Sequence, residues 1–463
     1  MVTAYDLVVI GGGPAGEKAA ASAAFWGKRV ALVERSSTLG GAMVGGVVAS
    51  KTMREAALYL SGFQRRELYD AGLDLTPTAA IERLRRRTDE VVELMADSAE
   101  ANLARHGIDR ITGDAMLTSA QTVTITPLDG GPDKSVEAAV VIIATGSRPF
   151  HPPGVPFDDP DVLDSDAAAL LDRPLQSLVV VGGGAVGCEF ASIFTALGAD
   201  VTLVDSGPRL LPFMDADIAA LLGDTFRAAG MRIVQDAGRA SATREAGGLR
   251  IDLASGESLW PEKAIFATGR VGNTEGLGLV EVGVATDERG RIVVDDRYQT
   301  SVPGIYAVGD VIGPPALASV SMEQGRIAAC WAFDLPLKRS TDLLPPFGVY
   351  SVPEAAMVGL TEEAAAARGL DHAVGRASFR ANTRAAISGA TDGMVKLVFD
   401  AGSLELLGVH VLGDSATELV HLGQAVLQLG GTIEHFIHTT FNVPTLSEAY
   451  KYAAYDGLSA VGR

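Results

Sequence analysis

The feature that most constrains the fold is a glycine pattern that occurs twice. Each copy has an apolar run, which begins at Asp6 or Ser177 and ends before Gly-x-Gly-x-x-Gly. A helix-like stretch follows, over 17–26 in the first copy and up to 197 in the second, and then a second apolar run, 29–33 or 200–204, that leads to an acid. The acid stands 34 − 11 = 23 residues after the first glycine in one copy and 205 − 182 = 23 in the other. This order predicts two β-α-β units that each bind a dinucleotide. The residues concerned are Gly11, Gly13, Gly16 and Glu34 in the first copy, and Gly182, Gly184, Gly187 and Asp205 in the second.

The residue types explain the expected chemistry. The first glycine permits a tight turn, the second lets the main chain approach a pyrophosphate, and the third lets helix and strand pack closely. The acid meets the ribose hydroxyls, and two dinucleotides in one chain indicate FAD and NAD(P)H. Asp205 favours NAD because a carboxylate repels the extra phosphate of NADP, although Arg209, four residues on, can offset that repulsion.

Composition excludes several other classes of protein. The chain has 463 residues, of which 47% are hydrophobic and 21% charged, so we expect a globular protein with room for about three domains of roughly 150 residues. Acidic residues exceed basic ones by 57 − 38 = 19, which argues against nucleic-acid and membrane partners. We see no leader and no long apolar stretch, and therefore expect a cytoplasmic protein. His421 and His435 lack partners at ligand spacing, so no metal site is predicted.

A later motif resembles part of a known family. Residues 300–310 read Thr-Ser-Val-Pro-Gly-Ile-Tyr-Ala-Val-Gly-Asp and resemble the second FAD motif of the flavoprotein disulfide reductase family. The resemblance covers nearly the whole chain, including Ala-Thr-Gly at 144–146 and 267–269. It implies that Asp310 holds the ribityl chain of FAD. It also implies that the cofactor sites include Gly41, Ala115, Thr145, Gly146, Gly269, Arg270 and Ala318.

The resemblance implies a fold and a domain order. The expected fold class is α/β, with two Rossmann-like dinucleotide-binding domains, for FAD and NAD(P), and a C-terminal α+β dimerisation domain. The predicted segments are an FAD-binding domain (1–150), an NAD(P)-binding domain (151–270), a second FAD-binding or central part (271–343) and a dimerisation domain (344–463). The last boundary is placed near Leu343. A homodimer is expected from the family alone.

The chain departs from that family at its reactive thiols. The family carries a disulfide within Gly-Gly-x-Cys-x-x-x-x-Cys-x-Pro-Ser-Lys, whereas residues 40–51 read Gly-Gly-Ala-Met-Val-Gly-Gly-Val-Val-Ala-Ser-Lys. The family's His-Pro-x-x-x-Glu pair is replaced by Val-Pro-Thr-Leu-Ser-Glu at 443–448. The two cysteines present, Cys188 and Cys330, are expected to be buried apolar residues. Thiol–disulfide exchange at the usual position is therefore excluded, and with it the reduction of lipoamide, glutathione and mercury.

Lys51 and Glu189 resemble the family's catalytic ion pair beside the hydride-accepting nitrogen of the flavin. Such a pair can offset charge on the reduced flavin. Among members with few cysteines, the chain is most similar to the soluble, Si-specific transhydrogenase group, on stretches such as 324–329 and 439–442. We therefore expect an FAD-dependent enzyme that takes a hydride from NAD(P)H and gives it to a second nicotinamide nucleotide at the same site.

Two alternatives remain open at this point. The enzyme could reduce a quinone or another small acceptor in the space left by the disulfide, which the small residues from Gly40 to Ala49 would line. A third reading is a non-catalytic flavoprotein that serves as a docking or sensing subunit. The retention of Lys51 and Glu189 argues against that reading.

Overall fold

The computed structural model describes residues 3–41, 43–61, 77–171, 173–337, 339–340 and 344–463. The chain divides into two compact units, each built from three segments. The first unit comprises Met1–Ala49, Thr88–Phe150 and Gly269–Leu343, and the second comprises Ser50–Arg87, His151–Thr268 and Leu344–Arg463. The four-segment division expected from the sequence stays a prediction, and its boundary residue Leu343 lies outside the described residues.

The first unit is built on a mainly parallel sheet. The buried run Leu7-Val8-Val9-Ile10 forms its central strand, and alternate side chains enter different cores: Leu7 and Val9 one, Val8 and Ile10 the other. Burial on both faces is typical of parallel sheets covered on both sides. The strand order is Asp109–Thr112, Val30–Glu34, Thr3–Ile10, Lys134–Ile143, Thr122–Thr126 and Asp114–Ser119, and Ile305–Ala307 also pairs with Lys134–Ile143.

The helices Pro14–Phe25 and Ala318–Ala332 of this unit pack closely together. A Cβ on Gly325 in the second helix would lie 2.1 Å from the carbonyl oxygen of Ala15 in the first, so only glycine permits this approach. The expected helix Glu17–Trp26 begins three residues earlier than predicted, with Pro14 in its first turn. The helical elements of this part are Pro14–Phe25, Met43–Val48, Leu279–Val282, Gly309–Ile312 and Ala318–Ala332, and a small ladder joins Ser147–Pro149 to Arg270–Gly272. Two further helices, Ala49–Ser61 and Pro77–Arg105, cross from one unit's segments into the other's.

The second unit contains a second parallel sheet, which repeats the first glycine unit. Strand Ser177–Val181 leads through the glycines into helix Ala185–Ala196 and then into strand Asp200–Val204, as predicted. The sheet order is Arg232–Val234, Asp200–Val204, Ser177–Val181, Lys263–Phe266 and Val162–Asp164. The remaining elements here are helices Ser165–Ala168 and Ala216–Ala228 and the antiparallel strands Ala240–Glu245, Gly248–Leu253 and Ser258–Leu259.

An antiparallel sheet with helices forms the C-terminal part of the second unit. Together with the two glycine-motif sheets described above, it confirms the predicted α/β fold class with a C-terminal α+β part. Its strand order is Phe347–Val349, Glu354–Gly359, Leu406–Gly413, Met394–Asp400 and His372–Ser378. Its helical elements are Glu362–Ala367, Phe379–Ala381, Thr383–Ser388, Ala416–Gln428, Glu434–His438, Leu446–Glu448 and Ala449–Ala460. Within the part of the chain that the structure describes, no helix combines the length and the apolar character needed to cross a membrane.

A buried lysine ties this antiparallel sheet to the helix Ala216–Ala228 within the second unit. Lys396 Nζ donates to Asp215 at 2.8 Å, to Asp217 at 2.7 Å and to Glu362 at 2.6 Å. Burial acts to raise the pKa of the Asp215 carboxyl, but the nearby His410 and Lys396 outweigh it and hold that pKa below its usual range. The charged groups therefore stabilise one another only as a set.

Candidate functional site

The first glycine loop has the backbone geometry that the motif predicts. Gly11 has a φ of +105°, and a Cβ there would lie 2.4 Å from the carbonyl oxygen of Ala144. A Cβ on Gly16 would lie 1.9 Å from the oxygen of Gly11, so the helix can approach the strand only with glycine. At Gly13, which precedes the helix, a Cβ would meet no atom within 4 Å. The space in front of the helix N-terminus is thus open for an anionic ligand group.

The second glycine loop repeats these contacts almost atom for atom. Gly182 has a φ of +116°, and its Cβ would lie 2.4 Å from the oxygen of Ala267. A Cβ on Gly187 would lie 1.8 Å from the oxygen of Gly182, and one on Gly184 would meet nothing within 4 Å. The two loops are therefore equivalent turns from strand to helix.

Each acid at the end of the second strand is fixed by two main-chain donors. Glu34 accepts from Gly12 N–H at 2.7 Å and from Ser36 N–H at 2.9 Å, one on each carboxylate oxygen. This holds the carboxylate beside its glycine loop.

The acid of the second copy is held in the same way. Asp205 accepts from Gly183 N–H on one oxygen and from Gly207 N–H at 2.7 Å on the other. In both copies the donors are the residue between the first two motif glycines and the residue two positions after the acid.

One cavity of the first unit gathers most of the residues predicted there. Its volume is about 340 Å³, within the range of roughly 300–1,000 Å³ of small-molecule and cofactor sites. Met43 and Val47 also line it, and both belong to the segment from Gly40 to Ala49 that was predicted to line the space left by the disulfide. The predicted residues that line it are Gly11, Gly13, Glu34, Gly41, Ala115, Thr145, Gly146, Asp310 and Ala318.

Arg270 is connected to this cavity by hydrogen bonds through Ser147, a lining residue that was not among the predicted site residues. Arg270 Nε donates to Ser147 Oγ at 2.8 Å, and Ser147 Oγ donates to Asp310 Oδ2 at 2.7 Å. Ser147 directly follows the quoted Ala-Thr-Gly at 144–146, so a signal for it was present. Gly269, next to Arg270, has a φ of +127° and accepts from Phe150 N–H through its carbonyl. Ser147 and Asp310 line the cavity, whereas Gly269 and Arg270, which were predicted as cofactor-binding residues, are not among its lining residues. Arg270 is connected to the cavity through its hydrogen bond to Ser147.

Lys51 and Glu189 form an ion pair in the second unit, as the resemblance implies. Lys51 Nζ lies 2.5 Å from Glu189 Oε2, and Tyr350 N–H donates to Glu189 Oε1 at 2.9 Å. The Tyr350 ring also lies under the cation, with its centroid 5.0 Å from Lys51 Nζ. Burial raises the pKa of the Tyr350 hydroxyl. The pair is thus held on both sides by one residue that the sequence did not indicate.

The turn that contains Tyr350 is itself tied down. Val352 N–H donates to Ser192 Oγ at 3.0 Å, on the same helix as Glu189. The buried Arg54, one turn after Lys51, donates to Ser351 O at 2.8 Å and lies 3.2 Å from Glu354. These contacts limit the freedom of both partners of the ion pair.

The segment that replaces the family's disulfide contains a short π-helix, Met43–Val48. Ala42, just before this helix, lies outside the described residues. The segment presents apolar and glycine residues in place of thiols. The chain's only cysteines, Cys188 and Cys330, are buried as predicted, and burial raises the pKa of both thiols. Among the described residues, no group of three or more His, Cys, Asp or Glu could hold a metal ion.

The cavity fits the adenosine, pyrophosphate and ribityl parts of FAD. Glu34 offers acceptors for ribose hydroxyls, the helix after Gly13 offers free N–H groups for pyrophosphate, and Asp310 offers acceptors for a polyol. A side chain at position 13 would occupy the open space in front of the helix, so glycine keeps that space available for a ligand. The residues that line the cavity are therefore chemically compatible with FAD.

Comparison with known proteins identifies the family. The family model described as pyridine nucleotide-disulphide oxidoreductase matches residues 5–325, and the model of that family's dimerisation domain matches residues 345–454. The chain belongs to the pyridine nucleotide-disulphide oxidoreductase family. This pyridine nucleotide-disulphide oxidoreductase is an FAD-dependent enzyme that uses NAD(P)H, so the predicted cofactors and enzyme class are confirmed.

Several relatives of this oxidoreductase match it over their full length. It is 44% identical over 460 residues to the soluble pyridine nucleotide transhydrogenase of Mycobacterium tuberculosis, covering 98% of this chain and 97% of the relative. It is 39% identical to that of a Marinomonas species, covering 99% of each. The solved structure of LpdA from Mycobacterium tuberculosis has a TM-score of 0.88 at 30% identity, covering 98% of this chain and 99% of that one. The HOCl-induced flavoprotein disulfide reductase RclA from Escherichia coli has a TM-score of 0.87 at 28% identity, covering 97% and 99%.

Proposed function

We propose that this protein transfers hydride between nicotinamide nucleotides, as a transhydrogenase, with no thiol in the reaction. The proposal is carried by the loss of the thiols with retention of the rest of the site. The cavity fits FAD, the segment Met43–Val48 replaces the family's disulfide, and the Lys51–Glu189 ion pair is intact. FAD, when bound, accepts a hydride from one nicotinamide nucleotide and gives it to another. Relatives at 37–44% identity are named soluble pyridine nucleotide transhydrogenases, which supports the same activity and a cytoplasmic location here.

The chain's residues would divide the work between two dinucleotides. The residues of the first glycine motif, Glu34 and Asp310 would hold FAD, and those of the second motif with Asp205 would hold the nicotinamide nucleotide. The Lys51 cation would stabilise the negative charge that accompanies hydride arrival, and Glu189 would keep that cation in place. Tyr350 would restrict Lys51 from its other side. Only nicotinamide nucleotides need enter and leave, so a ping-pong exchange is complete without cysteine.

The test is to mix the flavin-loaded protein with NADH or NADPH without oxygen and then add oxidised thio-NAD. The flavin absorbance should fall with the first nucleotide and return with the second. No loss of absorbance with either donor would refute the enzyme reading. Return with a quinone but not with thio-NAD would favour the quinone alternative, which the relatives' names do not support.

Lys51→Met gives a sharper test of the ion pair. Removing a positioned charge from a reaction site costs about 100-fold in rate or more, so flavin reduction should slow by at least about tenfold while FAD stays bound. Lys18→Met is a matched control, because Lys18 also pairs with a glutamate and its side chain is 25% exposed against 24% for Lys51. A reduction rate in Lys51→Met equal to that of the control would contradict the proposed role.

We also propose a homodimer built on the C-terminal part. A dimerisation-domain model matches residues 345–454. In that region Tyr452 and Tyr455 are about half exposed and lie three residues apart on helix Ala449–Ala460, hence on one face. Exposed apolar side chains on one face are typical of protein interfaces. Sedimentation should give twice the chain mass of 48.0 kDa, and a monomer would refute the proposal.

A further inference from the structure

A buried polar network adjoins the Lys51–Glu189 ion pair. Its charged members are Arg54, whose side chain is 3% exposed, and Glu354, which is also buried. Arg54 Nη1 lies 3.2 Å from Glu354 Oε1. Burying two charges is costly, and a well-packed apolar pair in their place is often as stable or more so. Stability alone therefore does not account for the presence of this pair.

The network continues from Glu354 to Tyr350 through Thr417. Glu354 Oε2 accepts from Thr417 Oγ1 at 2.7 Å and from Thr417 N–H at 3.0 Å. Burial raises the pKa of the Tyr350 hydroxyl, even though a hydrogen bond with the Thr417 side chain acts to lower it. The ring of the same tyrosine has its centroid 5.0 Å from Lys51 Nζ. The network therefore ends at the cation of the ion pair.

The network begins on the helix that carries Lys51, which closes it into a polar ring. Lys51 and Arg54 lie three residues apart on helix Ala49–Ser61, hence on one face. Arg54 Nε also donates at 2.8 Å to the carbonyl oxygen of Ser351, the residue next to Tyr350. The members of the polar ring, in order, are Lys51, Arg54, Glu354, Thr417 and Tyr350.

We propose that Arg54 is a positioning residue for the hydride transfer and acts on Lys51 through the polar ring. A lysine side chain has many rotamers, so its ammonium stays in one place only if its neighbours restrain it. Glu189 restrains it by charge, and the Tyr350 ring restrains it on another side. Arg54 fixes that tyrosine at its main chain through Ser351 and at its hydroxyl through the rest of the polar ring. The inference rests on the proposed function, because it assigns a further residue to that reaction.

The first experiment measures the limiting rate of flavin reduction in the wild type and in Arg54→Met, with whichever of NADH and NADPH reduces the flavin faster. A displacement of about 1 Å at a reacting group can cost about 100-fold in rate, so the limiting rate should fall at least about tenfold. The KM for the nucleotide should change by less than about threefold, because a change felt only in the transition state leaves ground-state binding intact. An unchanged limiting rate would overturn the proposal.

The same substitution is then made in a Lys51→Met background. If Arg54 acts by placing the Lys51 cation, its loss there has nothing left to displace, and the rate should change by less than about twofold. A structural role independent of Lys51 would slow both backgrounds by the same factor, because the effects of independent sites add. An equal loss of rate in the two backgrounds would therefore contradict the proposed role.

Lys396→Met is the matched control, because Lys396 is a buried cation of the same unit and its hydrogen-bond partners are three acids. This variant should be destabilised, yet its rate of flavin reduction should stay within about twofold of wild type, since its partners lie outside the polar ring. Arg54→Met leaves Glu354 buried without its cation. Where that variant does not fold, Arg54→Met combined with Glu354→Gln removes both charges and should show the same loss of rate.

A measurement without turnover separates this inference from the proposed function. Acetic anhydride acetylates accessible amines, and mass spectrometry of the flavin-loaded protein gives the rate at Lys51. An ammonium held by a carboxylate and an aromatic ring reacts slowly, so acetylation of Lys51 should be at least about threefold faster in Arg54→Met than in wild type or Lys396→Met. This result supports the fixing of Lys51 by Arg54 even if no nucleotide reduces the flavin, in which case the proposed function alone fails. Equal acetylation of Lys51 in the three proteins would overturn the inference.

Discussion

Removal of the Ser147 hydroxyl tests how the polyol end of the cavity is held. Ser147 is buried, and its Oγ both donates to Asp310 and accepts from Arg270. Ser147→Ala frees the Asp310 carboxylate to turn away from the ligand. A hydrogen bond to a charged group contributes about 1.5–3 kcal/mol. At about 1.4 kcal/mol for each factor of ten, the Kd for FAD should rise roughly 10- to 150-fold.

The assay is titration of the apoprotein with FAD, followed by the quenching of flavin fluorescence. Ser119→Ala provides a matched control, because Ser119 belongs to the same unit, is exposed and donates only to the nearby Thr122 hydroxyl at 2.9 Å. Its Kd should equal that of the wild type. A Kd for Ser147→Ala within twofold of wild type, in a protein with native circular dichroism, would refute the reasoning.

Further predictions concern the glycine loops and the buried lysine. A Cβ at Gly16 or Gly187 would lie 1.9 or 1.8 Å from a main-chain oxygen of its own motif. Gly16→Ala should therefore lose FAD, whereas Gly187→Ala should stay yellow but bind NAD+ weakly; the reverse pattern would contradict the assignment. Lys396→Met leaves Asp215 buried without its cation and should destabilise the protein by about 3–5 kcal/mol at pH 7 in thermal melts. Because the folded pKa of Asp215 is lowered, its contribution is present above about pH 4 and is lost on further acidification; the wild type should lose its advantage over Lys396→Met in acid, and a pH-independent difference would disprove this.

Local patterns in the sequence predicted the frame of both dinucleotide units well. The strand Ser177–Val181 agrees with the prediction at both ends, and the 23-residue spacing places Glu34 and Asp205 beside their glycine loops. These features depend on periodicity and on glycine geometry over short stretches, which a sequence displays directly. Helix ends were less accurate, because Pro14 can open a helix that the sequence analysis began at Glu17.

Contacts between distant segments were beyond such reasoning. Arg270 and Ser147 are 123 residues apart, Tyr350 and Glu189 are 161 apart, and no period links either pair. Arg209 shows the same limit: its proximity to Asp205 in sequence suggested a role at the nucleotide, but its partner Glu363 is 154 residues away. The hydrogen-bond partners of such side chains are determined by tertiary packing, which a single sequence does not reveal.

The burial of both cysteines has a consequence for the conditions in which the protein can work. Alkylating reagents, peroxide and heavy metals attack the thiolate form of accessible cysteines. Cys188 and Cys330 are almost fully shielded, and their raised pKa values keep them as neutral thiols at physiological pH. Because Cys188 and Cys330 are the two cysteines of the chain, such reagents find no accessible thiolate on it, and its activity should survive treatment with them.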